Sequence, residues 1–373
     1  MKKTFLLFIV LITLFSFGTS CNDSKEQAEN NSLGNVEKNK IDLKTPKNII
    51  LLIGDGMGLS QVSASLYFNE NTPNFEQFST IGLIKTSASN SLITDSAAGA
   101  TAFASGVKTY NGAVGVDKDS VSVKTIIELI SEKNMATGVI STSSITHATP
   151  ACFYAHATSR RLAEDIAAFL PASEVDFFAG GGLQFFNNRT DGKDLIAILK
   201  ENGFDISITS LPETLSEKKQ AILLADNAMP TMLENRGNFL PDATKLALES
   251  LSKNEDGFFL MVEGSQIDWG GHANDSEYLI TELLDFDKTL GVALDFAREH
   301  GDTLIIVTAD HETGGFTLAS DGDDYNKIKP VFSTDGHSGT MVPVFAEGPG
   351  AYLFSGIYEN TEIFHKMMQL FSE

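Results

Sequence analysis

The chain has 373 residues, of which 27 are Lys or Arg and 49 are Asp or Glu, for a formal net charge of −22. That balance argues against nucleic acid as a specific partner, because neutralising a phosphate backbone requires basic patches. It also repels anions at long range, so an anionic substrate needs positive charge supplied locally, and metal ions are the obvious source.

Residues 1–20 read as a secretory signal: Lys2 and Lys3 precede an apolar run from Phe5 to Phe17 that is too short for a confident membrane span. Gly18, Thr19 and Ser20 then lead to Cys21, an arrangement that resembles a bacterial lipobox, although Gly18 stands where a leucine-like residue is usual. Cys21 is therefore read as a lipidated mature N-terminus, with ordinary signal-peptidase cleavage and a soluble product as the alternative. Residues 21–46 are rich in Asn, Lys, Glu and Ser and almost free of large apolar groups, the composition of a disordered tether. Together these features imply export to the periplasm, the outer membrane or the cell surface. With Cys21 lipidated, Cys152 has no disulfide partner, and residues 47–373 must rely on their core or on metals for stability.

Asn48 to Ile53 reads as a buried strand ending at Gly54-Asp55-Gly56-Met57-Gly58. The spacing G-x-G-x-G is not a dinucleotide fingerprint, and Asp55 would face the pyrophosphate; a carboxylate on a flexible turn suits a cation better. The pattern recurs along the chain. Ala136 to Ser141 is a strand followed by His147, Thr149 and Arg160; Phe258 to Val262 ends at Glu263, with Asp268 and His272 beyond. Thr303 to Thr308 ends at Asp310-His311, and Met341 to Ala346 follows His337. A helix is expected over Leu279 to His300, stopped by Gly301. Strands alternating with helices predict an α/β fold with a largely parallel sheet, whose ligands bind beyond the carboxyl ends of the strands. The acids and histidines named above lie there. Residues 171–245 carry no recognisable chemistry; Asp176 to Ala179 is read as a strand, and Ala221 to Leu240 as containing helical pieces.

Ser96 directly follows Asp95 at the start of a run of small helix formers, which places it at or near a helix N-terminus, where negative charge is favoured. No Gly-x-Ser-x-Gly elbow surrounds it, so a histidine-activated hydrolase serine is not indicated, and an isolated Asp-Ser pair is ordinarily a helix cap. Metal-ligand sets change that reading. Asp268 and His272, four apart on a helical turn, combine with His337 as three zinc ligands with an open position. Asp55, Asp310 and His311 form a second set, provided that the backbone turns after the strand, as Thr313-Gly314-Gly315 allows. Asp55, Thr149 and Glu263 form an all-oxygen third site suited to magnesium. His156, His300 and His365 fit none of these sets; His156 reads as structural and His300 as a helix end favourable to the dipole.

Six stretches occur in order: GDGMG, TDSAAGATA, THATPACFYAHATSR, MVEGSQIDWGGHAND, TADHETGG and GHSGTMVPVFAEGPGA. From about Lys47 onward the chain thereby resembles the alkaline phosphatase family. The resemblance implies a three-layer sandwich around the mostly parallel sheet, two zinc ions, one magnesium, phosphate monoesters as substrates, and a homodimer. It makes Ser96 the nucleophile that becomes phosphoserine and Arg160 the clamp on two phosphoryl oxygens, with Asp95 orienting Arg160. Asp268, His272 and His337 would hold the leaving-group zinc, and Asp55, Asp310 and His311 the zinc beside Ser96. Thr149, Glu263 and shared Asp55 would serve magnesium. His147 stands where some members carry an aspartate near that ion, so the third site is expected to be weaker for magnesium or to accept another metal. Trp269 stands where some members carry a lysine or histidine. The short stretch from His311 to His337 implies that the accessory crown of larger members is reduced to a loop. Diester or sulfate hydrolysis, and a binding lipoprotein without catalysis, are the competing functions.

Overall fold

The computed structural model describes residues 45–371; the expected signal, Cys21 and tether residues 21–44 lie outside them. The strands are β1 (Asn48–Gly54), β2 (Thr80–Lys85), β3 (Ala136–Ser144), β4 (Phe177–Gly181), β5 (Phe204–Ser207), β6 (Lys219–Leu223) and β7 (Phe258–Gly264). They continue with β8 (Thr303–Thr308), β9 (Glu312–Thr313), β10 (Thr317–Asp321), β11 (Asp324–Val331), β12 (His337–Ser338), β13 (Val342–Glu347) and β14 (Gly356–Glu359). Ten of them form one sheet in the order β14-β2-β13-β8-β1-β7-β3-β4-β6-β5. The run from β8 to β5 is parallel, whereas β13 pairs antiparallel with both β8 and β2.

Every residue of β1, β7 and β8 is buried. Successive side chains of a strand point to opposite faces, so both faces are covered, and the strands read as the unbroken apolar runs typical of such a sheet. This is the expected layered α/β architecture. The carboxyl ends of β1, β3, β7 and β8 lie side by side in the sheet order, which brings the loops after them to one edge.

The helix Ser276–His300 starts at Asp275, whose side chain accepts from the amides of Glu277 and Tyr278, and stops at Gly301, which takes the left-handed φ of 73° that closes a helix. Ala221 to Leu240 does contain helical pieces, Met232–Glu234 and the start of the helix Phe239–Leu251, but it opens inside β6, whose residues Gln220 to Leu223 are buried and pair with β4. One expectation needs correction. The insertion between His311 and His337 is not a loop: β10 and β11 pair antiparallel, and β9 pairs with β12 beneath them. Alternating exposed residues along β11 explain why no apolar signal marked that strand.

The loop after β6 is tied to the long helix by a buried ion cluster. Arg236 Nη2 lies 2.5 Å from Glu282 Oε2 and 2.8 Å from Asp285 Oδ2, and Met232 N donates to Glu282 Oε1 at 2.8 Å. Burial raises the pKa of both carboxyls even though Arg236 opposes it. Arg236→Ala would strand two buried carboxylates and is expected to cost about 3–5 kcal/mol, lowering Tm by roughly 5–10 °C in a calorimetric scan. A shift under about 2 °C would show that water already reaches the cluster.

Candidate metal and phosphate site

The site is built from the ends of the central strands. After β1 the chain turns at Asp55-Gly56; Gly56 has φ 72°, and a Cβ there would come within 2.8 Å of the Asp268 backbone, so only glycine permits this approach. Asp55 is thereby held at the bottom of the site, fully buried. After β8 the backbone turns so that Asp310 and His311 both face inward, with His311 Nε2 3.3 Å from Asp310 Oδ2 and 3.5 Å from Asp55 Oδ1. Asp310 Oδ1 accepts from the amides of Gly56 and His311, which fixes the carboxylate.

Ser96 opens the helix Ser96–Ser105, and Asp95 is its N-cap, accepting from Ala98 N at 3.0 Å. Ser96 and the cap are thus adjacent residues, and the ordinary capping reading applies to Asp95 rather than to Ser96. Ser96 Oγ lies 3.3 Å from His311 Nε2 and 3.5 Å from Asp55 Oδ1. Arg160 reaches the same place from the loop after the short Ala148–Ala151 helix. Its Nη1 donates to Asp95 Oδ2 at 3.1 Å and its Nη2 to His147 Nε2 at 3.1 Å. Burial pulls the guanidinium pKa down, but Asp95, Asp55 and Asp268 more than offset it, so Arg160 stays charged.

The hydrogen bonds of three site histidines engage Nδ1 of each and leave Nε2 turned toward the other ligand-type groups. His272 Nδ1 donates to Asp335 O at 2.6 Å, and His337 Nδ1 donates to Thr94 O at 2.8 Å, because carbonyls only accept. Their Nε2 atoms then face each other at 3.1 Å, beside Asp268 Oδ1 at 3.4 and 3.6 Å. Thr313 Oγ1 donates to Asp268 Oδ1 at 2.5 Å, so it must accept from His311 Nδ1 at 3.2 Å. Burial first, then His337, lowers the His311 pKa to about 3, so its Nε2 is a lone pair aimed at two carboxylates and a hydroxyl. Ring nitrogens and carboxylate oxygens gathered this closely make a donor set suited to cations.

The carboxylates give the same result. Glu263 Oε2 accepts from Ser141 Oγ at 2.5 Å and Ser265 Oγ at 2.6 Å, but its Oε1 has no hydrogen-bond partner. Asp55 Oδ2 and Asp310 Oδ2 have none either. Burial is the main cause that raises the pKa of Asp55, Asp310 and Glu263, the last to about 7; repulsion from neighbouring carboxylates adds to it at Asp55 and Glu263, whereas hydrogen bonds and His337 oppose it at Asp310. Buried acceptors without donors are costly and are a donor set ready for cations. The residues form compact groups: Asp268, His272 and His337; Asp55, Asp268 and His311; and Asp55, His147 and Glu263. Asp310 joins the second through its contact with His311. Thr149, fully buried, turns its hydroxyl toward Glu263 without a well-formed hydrogen bond.

His147 is the least compliant member. Burial, then Arg160, lowers its pKa to about 3, so the ring is neutral and has a single lone pair. In this structure that lone pair accepts from Arg160, and Nδ1 is left without a partner. Ligation by His147 requires giving up the Arg160 contact, a competition that an aspartate with two oxygens would not face.

Sequence reasoning missed Thr313, which links Asp268 to His311, and Gln61, which ties Glu312 to the Thr313 carbonyl. Only the TADHETGG stretch marked Thr313, and there as part of a turn. His156 is structural, as expected: Nδ1 meets Gly115 O at 2.6 Å and Nε2 meets Glu128 at 3.3 Å. His300 ends its helix.

The sequence model of the family described as alkaline phosphatase matches residues 46–335 and 320–372. Alkaline phosphatase 3 of Bacillus subtilis is 32% identical over 96% of this chain and 95% of its own. The alkaline phosphatase of Escherichia coli is 32% identical over 87% of this chain and 86% of its own. Among solved structures, the alkaline phosphatase of the Antarctic bacterium TAB5 is 58% identical, with a TM-score of 0.87, covering 88% of this chain and 99% of that one. Matches of this extent, over a site of buried acids and histidines arranged for cations, show that the chain belongs to the alkaline phosphatase family, metal-dependent hydrolases of phosphate monoesters.

Proposed function

We propose that the chain hydrolyses phosphate monoesters to alcohol and inorganic phosphate through a phosphoserine at Ser96, with two zinc ions and one magnesium. The observation that carries this reading is the position of Ser96 Oγ, 3.3 Å from His311 Nε2 and 3.5 Å from Asp55 Oδ1, at a helix N-terminus among three groups of ligands.

Asp268, His272 and His337 would hold one zinc, and Asp55, Asp310 and His311 the other. Asp55, Thr149 and Glu263 would hold magnesium, with His147 at its edge. Bound metal ions supply the charge that lowers hydroxyl and water pKa values and that stabilises the entering and departing oxygens of an in-line displacement. Arg160 holds two phosphoryl oxygens through its paired N–H groups, and Asp95 fixes the guanidinium plane. Ser96 Oγ gives up its proton to solvent and bonds to phosphorus as the P–O ester bond breaks, and the departing ester oxygen takes up a proton from water to become the alcohol. Water then attacks the phosphoserine from the vacated side, releasing phosphate and restoring the serine hydroxyl. Backbone amides at the start of the Ser96–Ser105 helix favour the negative charge throughout.

A variant of the TAB5 enzyme with one histidine replaced by aspartate is described with Mg bound in the M3 site, which supports a magnesium-binding third site in a similar protein. The reading includes export by the 1–20 signal, a lipid at Cys21, a homodimer, and a role in phosphate scavenging. Among the described residues no helix is long and apolar enough to cross a membrane.

The deciding experiment compares an aryl phosphate monoester with the matching diester and sulfate at alkaline pH, with zinc and magnesium present and after chelation. Monoester turnover at least 100-fold above the others, lost with chelator and regained with zinc, is expected. A diester or sulfate preference, or no turnover with metals demonstrably bound, would overturn the proposal.

A further inference from the structure

Beside Arg160 and His147 the surface opens into a cavity of about 250 Å³ whose other walls are largely apolar, among them Trp269, Phe185, Ala163 and Ala228. None of these four carries chemistry in the reaction, yet they sit against the guanidinium that faces the reacting centre. The indole is not loosely placed. It meets the His147 ring edge-on, with centroids 5.8 Å apart and planes at 83°, and His147 is itself held by Arg160. Phe185 is fixed from below, where its carbonyl accepts from Arg189 Nη1 at 3.0 Å.

We propose that this cavity is the subsite for the organic part of the ester and that it selects aromatic substituents, with Trp269 and Phe185 as the specificity-determining walls. The proposal rests on the reading of Arg160 as the group that holds the phosphoryl oxygens. Arg160 is shared between the reacting centre and this cavity, and Trp269 directly follows Asp268 of the set read as holding the leaving-group zinc, so a ring carried by the ester can leave water for the indole and phenyl surfaces. Aromatic contacts of this kind add to the gain from buried area. A polar alkyl substituent gains neither. An additional anionic group gains nothing there either, because Arg160 is the only cation in the lining and the chain as a whole carries a charge of −22.

The test uses the full chain loaded with zinc and magnesium, and phenylphosphonate and methylphosphonate, whose P–C bonds are not hydrolysed. Trp269 is the one tryptophan of the chain, so its emission reports on this cavity. Phenylphosphonate is expected to bind about tenfold more tightly than methylphosphonate and to quench the emission, as ring stacking requires. Phe185→Leu is expected to remove most of that preference while leaving methylphosphonate affinity unchanged. Equal affinities for the two phosphonates in the unaltered chain, or a preference that survives Phe185→Leu, would overturn the subsite and leave the Arg160 reading standing. If neither phosphonate competes with inorganic phosphate, the Arg160 reading falls and the subsite with it.

Discussion

Ser96→Ala is expected to lower kcat/KM for an aryl phosphate monoester by about 10³-fold, close to 4 kcal/mol of transition-state stabilisation, with Tm unchanged within about 1 °C. The hydroxyl is buried, and its close neighbours are His311 Nε2 and Asp55 Oδ1, so the variant loses one oxygen and no packing of consequence. Arg160, Asp95 and the metal-binding groups stay in place, which leaves residual catalysis through water rather than none. The covalent step is checked separately by quenching turnover of a labelled substrate in acid and locating the label. Label is expected on Ser96 in the unaltered chain and absent from the variant. A rate loss under tenfold, or label elsewhere, would remove Ser96 from the covalent step.

Stripping the metals is expected to lower Tm by roughly 10–20 °C, since each well-occupied site contributes on the order of 4 kcal/mol by linkage. The cause is the set of buried carboxylates, Asp55, Asp268, Asp310 and Glu263, which then repel one another with few donors to satisfy them. The pH dependence of the stripped protein follows from the raised carboxyl pKa values. Glu263 shifts from 4.5 to about 7, so the folded state holds its proton more tightly than the unfolded state does. Its contribution is fully present below about pH 4.5, declines as pH rises toward 7, and is gone above that. Asp55 and Asp310 shift in the same direction. Metal-free protein should therefore melt higher at pH 5 than at pH 8 until general acid unfolding sets in, and the loaded protein should show the opposite trend, because protons compete with cations for the same oxygens. Thermal scans at both pH values, with and without chelator, read this directly. A stripped protein that is equally stable at both would show that water already solvates the cluster.

Much of this was legible in the sequence because the chemistry sits where strands end. Ile49–Ile53, Phe258–Val262 and Leu304–Val307 are uninterrupted apolar runs, and the first acids after each became Asp55, Glu263 and Asp310 of the site. Four-residue spacing put Asp268 and His272 on one helical face, and they do converge. What could not be read were contacts that depend on the path of the chain between elements. Thr313 looks like one more turn residue until the backbone carries it under Asp268. The antiparallel pairing of β13 depends on the excursion that precedes it, and β10 and β11 lack an apolar face because they lie at the surface. The conflict at His147 was invisible for another reason: it concerns which ring nitrogen is engaged, and residue type alone does not fix that.

The pairing of β9 with β12 has a consequence for how this scaffold can vary in size. His337 lies opposite Thr313 and Ser338 opposite Glu312, so the two ends of the excursion are stitched together immediately next to His311 and at His337 itself. From Thr317 to Val331 the chain is a ribbon paired with itself, whose first strand also packs on the helix Leu59–Phe68 and whose Leu318 packs against the core. Changes of length at the Gly322 end of the ribbon leave the pairing of the two ligand-bearing ends as it is. Evolution can enlarge the molecule at this point without retuning its chemistry, and a short tag or reporter placed at the Gly322 tip would be added to the architecture at its least consequential point.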